Sequence, residues 1–264
     1  MPEEILPPLD VVALAPHPDD LEITMGGTLA KLVKQGYRVG MIDLTCGEPT
    51  PRGTLETRKN EADAAQRILG VHVRKNLDLP NRVLMDCPEN RYLIATALRS
   101  CRPKIIMLMA GRTPAASPDH HQGHLLIEAA RFYSQLTKWD DRFGGTAPFR
   151  VPHLVYAPIP SDAEQRIWHS TFVIDISDTM EQKLASIKAY ESQFDAERYD
   201  KVRHFISSYN GFIGGRCGFQ FGEFFALPQP LGGSDLMNLV MGGKATYAPV
   251  ILEERPGQSH LPLA

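Results

Sequence analysis

The chain has 264 residues, 43% hydrophobic and 22% charged, enough apolar material for one large core or two small ones. Its 28 basic residues against 31 acidic ones give a net charge of −3, which argues against nucleic acid or an anionic membrane as the main partner. Four scattered cysteines form no CxxC pair, and no apolar run approaches the roughly 20 residues of a membrane span. The opening "MPEEILPPLDVV" lacks the basic and apolar regions of a secretory signal, so a cytoplasmic protein with free thiols is expected.

Short apolar runs alternate with helical patterns from the start. "LDVVALA" (9–15) and "YRVGMIDLT" (37–45) read as strands, and "TLAKLVKQG" (28–36) between them reads as a helix stopped by Gly36. A helix over 54–70, a strand over 71–79 and a helix over 89–101 follow. "PKIIMLMA" (103–110) is a continuous apolar strand of the kind buried on both faces. A helix over 120–136 and a strand over 152–159 continue the alternation, and two more helices are expected after residue 178. The order implies an α/β fold: a Rossmann-like, mostly parallel sheet flanked by helices, with its site at the carboxyl ends of the strands. One domain over 1–226 is expected, followed by a Gly/Pro-rich extension or arm over 227–264.

Polar clusters follow two of these strands. "APHPDDLEITMGG" (15–27) leaves the first, and "AGRTPAASPDHHQGH" (110–124) leaves the fourth, so they should face each other across the sheet edge. The acids after the first strand would repel a pyrophosphate, which disfavours dinucleotide binding, and no G-x-S-x-G nucleophile elbow is present. A divalent cation fits better. His17 and Asp20, three apart around Pro18, can converge on one point, and His120 can arrive from the second cluster. Two imidazoles and one carboxylate with an open position suit catalytic Zn²⁺, and Fe²⁺ is the alternative. Asp19 is then a carboxylate beside the ion, placed to take a proton from water that the ion has acidified. Asp119 could orient a histidine. Taken alone, the Asp pair reads equally well as a helix cap, and His120, His121 and His124 read as a solvated helix start. Their pairing at two strand ends of one sheet favours the metal.

"APHPDD" with "GGTLA", and later "SPDHHQGH", resemble the two signature segments of the LmbE-like, or PIG-L, zinc-dependent N-acetylglucosaminide deacetylases. The resemblance implies His17, Asp20 and His120 as metal ligands, Asp19 as general base and Asp119 as an accompanying catalytic carboxylate. It also implies a small sugar-amide substrate, and the family's habit of forming dimers or rings suggests a homo-oligomer. One departure stands out: the family's later motif opens with a histidine, read as stabilising the oxyanion or protonating the leaving amine, where this chain has Ser117. Either Ser117 gives a weaker hydrogen bond, or His121, His124 or Arg112 takes the role, or turnover is reduced. "GEPTPRGTLETRKNEA" (47–62) and "GGRCGFQFGEFF" (214–225) resemble the bacillithiol-pathway branch that acts on N-acetylglucosaminyl malate. On that basis Arg52 and Arg58 become candidates for gripping a substrate carboxylate, Arg52 the stronger because it precedes a helix N-terminus. The plain alternative for Arg58 is an exposed pair with Glu61.

Overall fold

The computed structural model describes residues 6–111, 116–160, 170–230 and 232. A seven-stranded sheet runs in the order β3-β2-β1-β4-β5-β7-β6. Its strands are β1 (Val11–Ala15), β2 (Val39–Asp43), β3 (Val73–Asn76), β4 (Ile105–Ala110), β5 (His153–Pro158), β6 (Ser170–Asp175) and β7 (Gly222–Leu227). The first five are mutually parallel, and β7 lies antiparallel between β5 and β6. The expected α/β fold is therefore what the chain adopts.

The central strands form because both faces are covered. Every residue of β1 and β2 is buried. Alternation then sorts the side chains between two layers. Val12 and Leu14 join Leu98, Leu108 and Leu126 on one side, while Val11, Ala13 and Ala15 join Leu21, Met25 and Leu29 on the other. Helix α1 (Asp20–Lys34) covers the second face, and α3 (Pro88–Cys101) and α4 (Asp119–Tyr133) supply the first. Helices α2 (Leu55–Leu69), α5 (Met180–Lys188) and α6 (Ala196–Gly215) complete the flanks.

Two features were not legible in the pattern. Helix α1 begins at Asp20, eight residues before the expected start at 28. Its Gly26-Gly27 pair, a helix-weakening signal, is there for contact: a Cβ on Gly27 would lie 2.8–2.9 Å from Ile176. Strands β6 and β7 were not read as strands; β7 is short, follows a glycine-rich turn, and runs through Leu227, one residue past the expected boundary. Its Glu223 reaches back into α1, accepting from Gly27 N at 3.0 Å and Thr28 N at 2.7 Å, and Lys183 Nζ donates to it at 2.6 Å. The expected arm lies almost wholly outside the described residues. Among them, no helix is long and apolar enough to cross a membrane.

Candidate metal and active site

From β1 the sheet continues to β2 on one side and β4 on the other, the topological switch at which α/β folds bind ligands. The segment leaving β1 is pinned: Pro16 O accepts from both Thr45 N (2.9 Å) and Thr45 Oγ1 (3.0 Å). From the β4 side, α4 comes unusually close. A Cβ on Gly123 would sit 2.5 Å from Pro16 Cγ, so glycine at this position is what allows the two clusters to meet.

They do meet. Ligand atoms of His17, Asp20 and His120 all lie within 4.8 Å of one another. Asp20 bridges the imidazoles, with Oδ2 3.1 Å from His17 Nδ1 and Oδ1 3.4 Å from His120 Nε2. Two imidazole nitrogens and a carboxylate, converging and mostly buried, fit a zinc-type or ferrous ion better than calcium or magnesium, which prefer oxygen cages. Burial opposes a charge on His17 and on Asp20, yet the pairing wins. His120 and His17 hold the Asp20 carboxyl far below its usual range, and hydrogen bonds with Asp119 and Asp20 lift His17 to about 10. The cluster is charge-paired and ready to exchange a proton for a cation.

Asp19 does not cap its helix: its side chain makes no cap hydrogen bond, and its φ is +100°, a conformation rarely adopted outside glycine. This unfavourable backbone turns the carboxylate toward Arg58, whose Nη1 lies 3.6 Å from Asp19 Oδ2. Burial pushes Asp19 up to about 7, with Arg58 pulling the other way.

Asp119 is 1% exposed and acts on His17, across the sheet edge from its own helix. It lies 3.4 Å from His17 Nε2 and accepts from the backbone N–H of Arg82 (2.6 Å) and Leu84 (3.3 Å). Burial raises its carboxyl, but His17 and these backbone donors outweigh that and hold it below its usual range.

The remaining predicted residues separate. Arg58 is 3% exposed, so the exposed-pair reading fails; Nη2 donates to Pro18 O at 2.6 Å and the guanidinium lies over Tyr190. Arg52 is exposed and ion-paired to Asp195, the N-cap of α6, and does not line the cavity. Ser117 does line the cavity, with Oγ accepting from Asp119 N at 3.3 Å. His121 is not in the wall. His124 is buried, stacked on Tyr156 and 3.4 Å from Glu128, and its Nδ1 accepts from Gly111 N. Arg112 lies outside the described residues.

The cavity holds about 300 Å³ above the cluster. Sequence reasoning missed Thr50, Asn81, Arg82 and Gln193 in its wall. Asn81 and Arg82 follow β3, so the strand-end rule that exposed the two clusters would have flagged them. Gln193 sits in the segment after α5 and carries no local signal.

Fold and site thus define an α/β protein with a candidate mononuclear metal centre at the carboxyl edge of its sheet. The PIG-L family model, described as GlcNAc-PI de-N-acetylase, matches residues 12–131 of the chain. Diacetylchitobiose deacetylase of Thermococcus kodakarensis is 29% identical over 226 residues, 81% of this chain and 80% of that protein. 4-Oxalmesaconate hydratase of Pseudomonas putida is 24% identical, covering 71% and 75% respectively. Among solved structures, the conserved protein TT1542 from Thermus thermophilus superposes with a TM-score of 0.74 at 33% identity, covering 85% of this chain and 97% of that one.

Proposed function

We propose that the protein is a metal-dependent N-deacetylase that hydrolyses the acetamide of an N-acetylglucosaminide, with N-acetylglucosaminyl malate as the leading substrate. The observation that carries this reading is the His17–Asp20–His120 cluster with the uncapped Asp19 carboxylate beside it. Zinc, or ferrous iron, held by those three residues would supply Lewis acidity to the amide carbonyl and to water. Asp19 is the general base: with a carboxyl pushed up to about 7 it can accept a proton from water and pass it to the departing amine. Arg58, close by on Asp19, keeps a buried carboxylate available in its ionised form. Asp119 holds the ring of His17. Ser117 offers a hydroxyl from the cavity wall where the family motif has a histidine.

Support for a sugar amide comes from the family model and the diacetylchitobiose deacetylase; the malate conjugate rests on the 47–62 and 214–225 segments. Purified protein loaded with zinc should release acetate from N-acetylglucosaminyl malate, lose that activity on chelation, and lose it in Asp19→Ala. A loaded protein inert toward every N-acetylglucosaminide would overturn the proposal. The resemblance to a hydratase favours a second reading, addition of water to an unsaturated carboxylate, which the same preparation tests by loss of the substrate's ultraviolet absorbance.

A further inference from the structure

The cavity wall contains an exposed guanidinium, that of Arg82, with no ion-pair partner among the described residues. Arg58, also in the wall, is 3% exposed; its Nη2 donates to Pro18 O and it pairs with Asp19 at 3.6 Å, while its Nε and Nη1 have no hydrogen-bond acceptor, and Arg52 is paired with Asp195. Arg82 is exposed, lies in the wall of the same cavity as His17, Asp19 and His120, and its side chain has no acceptor or ion-pair partner among the described residues. Its main chain is the opposite case. Arg82 stands at φ +69°, and its N–H donates to Asp119 Oδ2 at 2.6 Å. Asp119 also faces His17, so the position of residue 82 is fixed relative to the metal cluster. A left-handed backbone held by a buried carboxylate fixes the base of this side chain at the cavity and is the kind of local strain found at ligand sites.

We propose that Arg82 is the specificity-determining residue of this site and grips an anionic group, carboxylate or phosphate, on the aglycone side of the substrate. A guanidinium fork matches both oxyanions with two parallel hydrogen bonds. This rests on the glucosaminide reading and adds the charge of the aglycone and the residue that reads it.

The test is calorimetric binding to the zinc-loaded Asp19→Asn protein, which separates recognition from turnover. The probes are N-acetylglucosaminyl malate, N-acetylglucosamine 1-phosphate and neutral methyl N-acetylglucosaminide. The two anionic ligands should bind about tenfold tighter than the neutral one, a difference that shrinks with added salt. Arg82→Asn, which tolerates the left-handed backbone, should erase the preference, and Arg82→Lys should restore part of it. Equal affinities in the parent, a preference that survives Arg82→Asn, or no binding of any probe would overturn the assignment. If only one anion is preferred, it names the aglycone. Acetate release by the unsubstituted protein, measured on the same three compounds, tells the two proposals apart. Selective binding without release would sink the deacetylase reading alone, and release without charge preference would sink only the role of Arg82.

Discussion

Asp19 occupies a backbone position that suits glycine, and the site needs a carboxylate there. Asp19→Gly should therefore abolish turnover while raising stability relative to Asp19→Ala by about 1 kcal/mol. Urea denaturation of the two variants reads the difference, and equal midpoints would refute the strain argument. His17 supplies a pH dependence. A folded imidazole protonated up to about 10, against an ordinary value of 6.5, adds stability that is complete below 6.5 and lost as pH rises through 10. A cation must displace that proton. Zinc titrated into ion-free protein at pH 8 should release about one proton, with apparent affinity rising about tenfold per pH unit toward 10. Calorimetry in buffers of different ionisation enthalpy measures the release, and heats independent of buffer would refute it. At this scale the convergence of His17, Asp20 and His120 was readable because their residue types and places after two strands are local facts. The partners of Asp119 and Arg52 were not, since each is set by a segment far along the chain: His17 and Arg82 for one, Asp195 for the other.

Gly123 shows how an element's shape controls the chemistry. Adding one methyl group requires α4 or Pro16 to shift, because 2.5 Å is well inside carbon–carbon contact. Gly123→Ala should keep the fold, at a cost of about 1–3 kcal/mol, and weaken zinc binding at least tenfold by parting His120 from His17. Competition with a chromogenic chelator measures this, and unchanged affinity would show that the approach of α4 is not what assembles the site. Strands β1, β2 and β4 were legible because their apolar runs are continuous, as burial on both faces demands. The first two turns of α1 lie outside the expected helix because that expectation rests on the spacing of Leu29, Leu32 and Val33, although the Asp pair before it reads as a helix cap. Strands β6 and β7 were obscured for another reason, since their pairing is antiparallel and non-local.

For the whole molecule, an ion held between β1 and α4 joins segments about a hundred residues apart, so binding should be visible as stability. Zinc at a hundredfold excess over its Kd should add about 2.7 kcal/mol, or roughly 5–10 °C in Tm. Chelation should reverse the shift, and His17→Ala should remove it. A Tm indifferent to zinc in the unsubstituted protein would count against any ion at this cluster.

The place of β7 in the sheet carries a consequence in time. Among the described residues, the last strand to leave the ribosome is inserted between β5 and β6, and its Glu223 accepts hydrogen bonds from a helix made some 195 residues earlier. Until it arrives, Lys183 has lost its buried counter-charge and the helix that carries Asp20 lacks a brace. A nascent chain therefore lacks this brace on the helix of Asp20 until translation has passed β7.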